Sequence, residues 1–129
     1  MMNKEQKKLY ISDMANNFEK SEAVIVTHYQ GLTMKQLDDL RAKMREHGIK
    51  FKITNNRITK LALEKTRCKE LSNLFSGPTA VALSEDAITS AKILTNFSKE
   101  NESLKILGGI MGSDILDVAG VKNVATLPS

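Results

Sequence analysis

The sequence predicts an α/β domain built on one roughly four-stranded mixed sheet with crossover helices. Helical periodicity and short apolar runs alternate along the chain, giving four helices and four strands in strict alternation. A helix between successive strands is typical of crossover units, which place parallel strands in one sheet. The chain has 129 residues, of which 41% are hydrophobic. That size and composition suit a single domain over residues 1–129 with one buried core.

The first two helices and the strand between them carry clear local signals. Asn3 is expected to cap a helix near the start of the sequence. Residues 23–29, AVIVTHY, are β-branched and almost continuously apolar, so they indicate a central strand covered on both faces. In the next helix Thr33 and Gln36 fit a capping box, and Gly48 offers the left-handed residue that ends the helix.

The next strand and helix form a cationic segment. Residues 49–53, IKFKI, alternate, so Lys50 and Lys52 are expected on the strand face opposite the apolar side chains. The Thr-Asn-Asn turn at residues 54–56 is typical of a helix start. The helix that follows is expected to place Ile58, Leu61 and Ala62 inward and Arg57, Lys60, Glu64 and Arg67 outward.

The last third of the sequence predicts two strands separated by a helix. Residues 80–84, AVALS, are typical of a buried strand, and the acids of residues 84–86 suit the first turn of a helix. Residues 104–111, LKILGGIM, predict a strand that is bulged at Gly108-Gly109. The residues after Gly120 give no convincing helical pattern.

Positive charge is concentrated in the middle of the chain. Residues 35–69 hold eleven Lys or Arg against four Asp or Glu, a net charge of +7 within a chain whose total is +4. Residues 48–60, GIKFKITNNRITK, contain four of these cations and no acid. Such a cluster fits either a solvated face or the electrostatic footprint of a nucleic-acid-binding surface.

No pattern in the sequence predicts an enzyme, a metal site or a bound cofactor. His28, His47 and Cys68 are the only soft metal ligands, and they stand on different predicted elements. The acidic pairs lie at helix starts or on polar helix faces, and residues 108–112, GGIMG, lack the spacing of a phosphate-binding loop. We therefore expect neither catalytic nor metal-ligating residues.

The sequence carries no transmembrane or secretory signal. It has no apolar run of about 18 residues, and its N-terminus is polar. The single cysteine excludes an internal disulfide, which fits a reducing compartment. We expect a cytoplasmic protein with no membrane partner.

The cationic strand and helix described above, residues 50–67, form the candidate binding surface, which we call the basic segment. Its cations and helix-start amides suit phosphate groups, and the loop after the first strand adds an aromatic ring and a glycine. That loop and the basic segment flank the same crossover helix, so we expect them to lie close together. The candidate residues in the basic segment are Lys50, Lys52, Asn55, Asn56, Arg57, Lys60 and Arg67. Folded RNA, recognised by its shape and backbone, fits this set better than unstacked bases.

Five short motifs occur in order along the chain. They are Tyr29-Gln30-Gly31-Leu32-Thr33, the pattern L-x-x-L-R-x-x-M-R-x-x-G at residues 37–48, Lys52-Ile53-Thr54-Asn55-Asn56-Arg57, Gly77-Pro78-Thr79-Ala80 and Leu127-Pro128-Ser129. Each motif alone is weak. Together they cover essentially the whole chain and resemble the L-ten family of bacterial ribosomal proteins, which form the base of the large-subunit stalk.

The resemblance implies a two-layer α+β fold, a variant of the ferredoxin-like arrangement. It also implies binding to large-subunit rRNA at the GTPase-associated region, beside ribosomal protein L-eleven, and repression of the protein's own mRNA. By the same resemblance, RNA contacts fall to Tyr29, Gly31, Leu32 and Thr33 in one loop and to Lys52, Asn56 and Arg57 in the other. The family usually has Lys where this chain has Asn55, so one phosphate contact would be missing unless the Arg57 guanidinium supplies it.

The resemblance further implies a C-terminal helix that carries dimers of the acidic stalk protein L-seven/L-twelve, which recruit translation GTPases. The sequence ends at Ser129, where family members continue, so we expect an rRNA-binding platform that binds those dimers only if that helix is present. Two alternatives come from other classes. One is an adaptor whose basic face meets an acidic protein, and the other is a small α/β enzyme, which would need convergent polar groups in a pocket.

Overall fold

The computed structural model describes residues 2–128, so Met1 and Ser129, the last residue of the Leu-Pro-Ser motif, lie outside the described part. The described elements are α1 (Lys4–Lys20), β1 (Ala23–His28), α2 (Met34–Glu46), β2 (Lys50–Ile53), α3 (Asn56–Leu63), β3 (Thr79–Ser84), α4 (Ala87–Glu100), β4 (Lys105–Met111), β5 (Asp114–Leu116) and α5 (Val118–Val124). A 3₁₀ segment at Lys69–Leu74 lies between α3 and β3.

The five strands form one sheet in the order β2-β3-β1-β4-β5, with β2 and β5 at its edges. Each neighbouring pair is antiparallel. Strands β1 and β2 therefore run in the same direction, and β3 lies between them. Strands β3 and β4 likewise run in the same direction, and β1 lies between them. Two interleaved units of this kind, with α2 and α4 as their connecting helices, are the split βαβ arrangement of ferredoxin-like folds.

The α+β class and the ferredoxin-like arrangement are confirmed, whereas the expected parallel pairs are wrong. The crossover helices do join strands of the same direction, but an antiparallel strand separates each such pair. Two short elements escaped the sequence analysis. Strand β5 has three residues, and α5 occupies the region around Gly120 where no helix was expected.

Helices cover both faces of the sheet. Helices α2, α4 and α5 pack on one face, against Ile25, Phe51 and Ala82 among others. Helices α1 and α3 and the 3₁₀ segment pack on the opposite face, against Val24 and Val81. Strand β1 is accordingly buried on both sides along nearly its whole length, as its continuous apolar sequence predicts.

One inward assignment in the basic segment is wrong. Leu61, expected to face inward on α3, is 49% exposed, and Ile53, the last residue on the apolar face of β2, is 40% exposed. Thr59 and Leu63 are fully buried instead, because α3 is rotated so that these residues face α1 and the sheet. A short helix gives too few turns for periodicity to fix its rotation.

Local signals at helix ends and in β4 are confirmed. Asn3 caps α1 and Thr33 caps α2, each in a reciprocal capping box with the residue three positions later. The bulge in β4 falls beside Gly108, where the register against β1 shifts by one residue. A Cβ on Gly109 would lie 2.4 Å from the Val24 carbonyl oxygen, so this part of β4 requires glycine for the close approach to β1.

Candidate nucleic-acid interface

The loops after β1 and β2 meet at one end of the sheet. They are held there through a third turn, residues 76–78, which precedes β3. The Tyr29 amide donates to the Pro78 carbonyl at 3.1 Å, and the Asn56 side-chain amide donates to the Gly77 carbonyl at 2.7 Å. The expectation that the two motif-bearing loops lie close together is therefore confirmed. We call this surface, formed by residues 29–33, 54–57 and 76–78, the loop end.

The first loop, residues 29–33, is held in place by the rest of the fold, and only part of it is exposed. Gly31 has φ 97°, a left-handed conformation, and a Cβ there would lie 2.8 Å from the Ser103 hydroxyl oxygen. Tyr29 and Leu32 are half-buried and pack against the core beneath α2 and α4. Thr33 is exposed, and its hydroxyl caps α2. Polar atoms available to a ligand in this loop are thus mainly backbone groups, the exposed Gln30 side-chain amide and the Tyr29 phenol.

The second loop uses both of its asparagines internally. The Asn55 side chain accepts from the Ile58 amide at 3.4 Å and so caps α3. The Asn56 side chain accepts from the Thr54 hydroxyl at 3.3 Å in addition to its bond to the 76–78 turn. Each asparagine keeps further lone pairs or amide hydrogens, so it can contact a ligand only as a rigid member of this network.

The Tyr10 hydroxyl connects the second loop to α1. It lies 2.8 Å from the Thr59 hydroxyl and accepts from the Asn55 amide at 3.2 Å. Tyr10 was not among the candidate residues, because nothing in its local sequence indicates a partner 45 residues away. The contact fixes where α3 starts and therefore where Arg57 projects.

The predicted cations do not form one cluster. Arg57 and Lys60 are exposed on α3, and within residues 2–128 neither forms an ion pair. Lys52 is half-exposed and forms an ion pair with Asp13 of α1 at 3.4 Å, which offsets part of its charge. Lys50 is exposed but lies opposite Leu83, three residues or about 10 Å from the end of β2 that reaches the loop end.

Arg67 lies at the opposite end of the sheet. Its guanidinium donates to the carbonyls of Ser21, which precedes β1, and of Gly112, in the turn between β4 and β5. Its own amide donates to the Glu19 carboxylate at 2.7 Å. The six residues of β1 separate it from the loop end by about 20 Å. The outward placement on α3 is therefore wrong for Arg67, because α3 ends at Leu63.

Lys105 is an exposed cation near the loop end that was not among the candidate residues. Lys105 is the first residue of β4, pairs with His28 across the sheet and is exposed. With Gln30, Glu102 and Ser103 these residues line a shallow depression of about 340 Å³ beside the first loop. Only the antiparallel pairing of β4 with β1 brings Lys105 there, so no local signal in the sequence could have identified it.

The soft ligands are dispersed, and the described residues contain no group of three or more His, Cys, Asp or Glu side chains placed to hold a metal ion. His47 follows α2 with its Nδ1 atom 3.0 Å from the Lys43 carbonyl oxygen, and His28 ends β1. Cys68 is buried, and desolvation raises the pKa of its thiol to about 11. A thiol of this kind is a packing residue rather than a nucleophile.

The fold and the site together define a class of protein: an α+β domain with an exposed loop end that adjoins the exposed cations Arg57 and Lys60 of α3. No helix in residues 2–128 is long and apolar enough to cross a membrane. The chain matches the family described as Ribosomal protein L10 over residues 2–99.

Individual relatives agree with the family match over nearly the whole chain. Large ribosomal subunit protein uL10 of Pelagibacter ubique is 73% identical over 128 residues, which cover 99% of this chain and 77% of that protein. Large ribosomal subunit protein uL10 of Paramagnetospirillum magneticum is 48% identical, with 99% of this chain and 75% of that protein covered. The protein of the same name from Rhodospirillum rubrum is 46% identical, with 99% and 74% covered.

The chain belongs to the ribosomal protein L10 family. The resemblance read from the five motifs is therefore confirmed, and the chain is a structural protein of the large ribosomal subunit, not an enzyme. As part of the ribosome it belongs to the cytoplasm. It spans about three quarters of the length of the relatives named above.

Proposed function

We propose that the chain binds large-subunit rRNA through the loop end and the adjoining exposed cations of α3. The observation that carries this proposal is the meeting of the 29–33 and 54–57 loops beside Arg57 and Lys60, which form no ion pair within residues 2–128. Cations without an internal partner can neutralise phosphates without first breaking a salt bridge. The rigid loops beside them offer backbone groups in a fixed arrangement, which suits recognition of folded RNA by shape.

The proposed interface is narrower than the basic segment. Arg57 and Lys60 are its main cations, and Lys105 adds a cation on the other side of the first loop, where it shares a depression with the acidic Glu102. Lys52 contributes less, because RNA must compete with Asp13 for its ammonium group. We assign Arg67 to holding the opposite end of the fold together, since both of its guanidinium contacts are backbone carbonyls there.

A salt-dependent titration tests this assignment. The chain is titrated with an rRNA fragment of the GTPase-associated region and with a scrambled RNA of equal length, at several salt concentrations. Log affinity falls linearly with log salt concentration, and each lost phosphate contact should make this slope less steep by about 0.7–0.9. We expect that change for Arg57→Ala and for Lys60→Ala.

Lys122→Ala is the matched control, because Lys122 is an exposed lysine on α5, which packs on the other face of the sheet. It should leave the slope unchanged. Equal slopes for all three variants, or equal affinity for the rRNA and the scrambled RNA, would contradict the proposal. The second result would favour an adaptor whose basic face meets an acidic protein.

We propose three finer roles on the basis of family membership. The chain sits at the base of the stalk beside ribosomal protein L-eleven. It also represses its own mRNA, using the same loop end, so the rRNA fragment and the mRNA leader should compete for binding. Residues 2–128 act as the rRNA-binding domain, whereas dimers of L-seven/L-twelve bind the family's C-terminal helix. A fragment confined to residues 2–128 should then form no complex with those dimers on size exclusion.

A further inference from the structure

A concavity of about 1100 Å³ lies between α1 and α3, on the face of the sheet opposite α2 and α4. Its floor is aliphatic and includes Leu9, Ile58 and Leu61. Leu9 is 71% exposed and Leu61 is 49% exposed, although both are large apolar side chains on neighbouring helices. Exposed apolar side chains that line one groove mark a surface that another molecule covers. We call this surface the α1–α3 groove.

The charged side chains that line the α1–α3 groove give it a positive rim. Lys7 and Arg57 are its cations, one on each helix. Asp13 is the acid in its lining, and the Lys52 ammonium at 3.4 Å already pairs with that carboxylate. An occupant that buries the aliphatic floor would therefore meet uncompensated positive charge along both edges.

We propose that the α1–α3 groove binds an amphipathic, acidic helix of a protein partner. Two packed helices leave a groove that a third helix fills with apolar residues at positions i, i+3 or i+4, and i+7. Acidic residues on the flanks of that helix would meet Lys7 and Arg57. The α1–α3 groove borders the proposed RNA interface and shares Asn55 and Arg57 with it.

A nucleobase fits the groove less well. Bases in protein sites stack on aromatic faces and use hydrogen bonds at their edges. Tyr10 is the aromatic residue in the lining, and its hydroxyl is already engaged by Thr59 and Asn55. The aliphatic side chains of the floor offer neither stacking nor polar readout. The occupant is therefore a peptide helix rather than RNA.

The probe is a fluorescein-labelled designed peptide of about 18 residues, or five helical turns, with leucines on one face and glutamates on the flanks. Fluorescence anisotropy with the whole chain should give saturable binding. Leu9→Ser and Leu61→Ser should each weaken it about tenfold, the scale of an interface anchor residue. Both side chains are exposed, so these variants should fold normally.

Ile115→Ser is the matched control, because Ile115 is 45% exposed and lies on β5, away from the groove. It should leave peptide affinity unchanged. A second peptide with lysines in place of the glutamates should bind the natural chain more weakly than the acidic peptide does. The acidic peptide should in turn bind Lys7→Glu more weakly than it binds the natural chain.

Three results would overturn the proposal: no saturable binding, equal loss with the Ile115 variant, or equal affinity for the acidic and basic peptides. A loss of rRNA affinity in the Leu9 and Leu61 variants without peptide binding would assign the groove to RNA instead. Because the peptide assay contains no RNA, failure of the rRNA proposal would leave this result unaffected.

Discussion

Removal of one hydroxyl, in Tyr10→Phe, tests how α1 supports the second loop. The Tyr10 oxygen bridges the Thr59 hydroxyl at 2.8 Å and the Asn55 amide at 3.2 Å. Phenylalanine keeps the ring and its packing but removes both contacts. The substitution therefore isolates the polar link between α1 and the start of α3.

The burial of the two partners sets the magnitude. Thr59 is 0% exposed, so water cannot replace the lost contact to its hydroxyl. Asn55 is exposed, and its amide can be rehydrated. A buried polar group left without a partner costs about 1–3 kcal/mol, and one such group is created here. We expect the free energy of unfolding to fall by about 1–2 kcal/mol, mostly through Thr59.

Urea denaturation of four proteins measures this: the natural chain, Tyr10→Phe, Thr59→Val and the double variant. Valine has nearly the shape of threonine, so in the double variant both hydroxyls of the contact are gone and no buried hydroxyl is left unpaired. The double variant should lose less stability than the sum of the single losses, with a coupling energy of about 1 kcal/mol. Additive losses, or no loss for Tyr10→Phe, would refute the role assigned to the Tyr10 hydroxyl.

Three further outcomes follow from the structure. Gly109→Ala should lower the free energy of unfolding by about 3 kcal/mol in urea denaturation, since its Cβ would meet the Val24 carbonyl and β1 cannot move away; a loss below about 1 kcal/mol would contradict the close approach. Cys68 should resist a thiol reagent at pH 8 in the folded chain and react fully in urea, because burial raises the pKa of its thiol to about 11; rapid reaction without urea would contradict its burial. Hydrogen bonds from the Thr89 side chain and amide lower the pKa of Asp86. The Asp86→Ala variant should therefore lose about 1 kcal/mol of stability at neutral pH. The loss should shrink as pH falls below about 4, through the lowered pKa of the folded state, as Asp86 becomes protonated; a loss independent of pH would contradict this.

Features that depend on neighbouring residues in the chain were predictable. The capping boxes at Asn3 and Thr33 involve partners three residues away, and the structure contains both. The bulge at Gly108 was likewise predictable from the glycine pair, and the burial of β1 on both faces was predictable from its continuous run of apolar residues. Such signals act within one element and need no knowledge of what packs beside it.

Strand order was not predictable in the same way. Helices between strands indicate which strands run in the same direction, but they do not say whether another strand lies between them. Pairing of β3 with β1 joins residues that are more than 50 positions apart, such as Val26 and Val81. Strand β5 has only three residues, too few to show alternation.

The residues of the candidate site likewise fall into those predictable from local sequence and those placed by distant contacts. The 29–33 and 54–57 loops were identified from motifs, and their proximity followed from the shared crossover helix. Arg67 was misplaced because the helical pattern was extended past the true end of α3. Lys105 and Tyr10 were missed because each reaches the site through tertiary contacts with distant residues.

Strand β2 lies at the edge of the sheet, and its lysines affect whether another strand can pair with it, independently of any ligand. An edge strand presents free backbone amides and carbonyls on which another chain can form an additional strand, and this is a route to aggregation. Strand β2 has only four residues, and two of them are lysines. An incoming strand would have to bring its own side chains beside Lys50, which is exposed at this edge. Part of the positive charge in the middle of this sequence therefore disfavours edge-to-edge pairing of β2 with another strand, including one from a second copy of the chain.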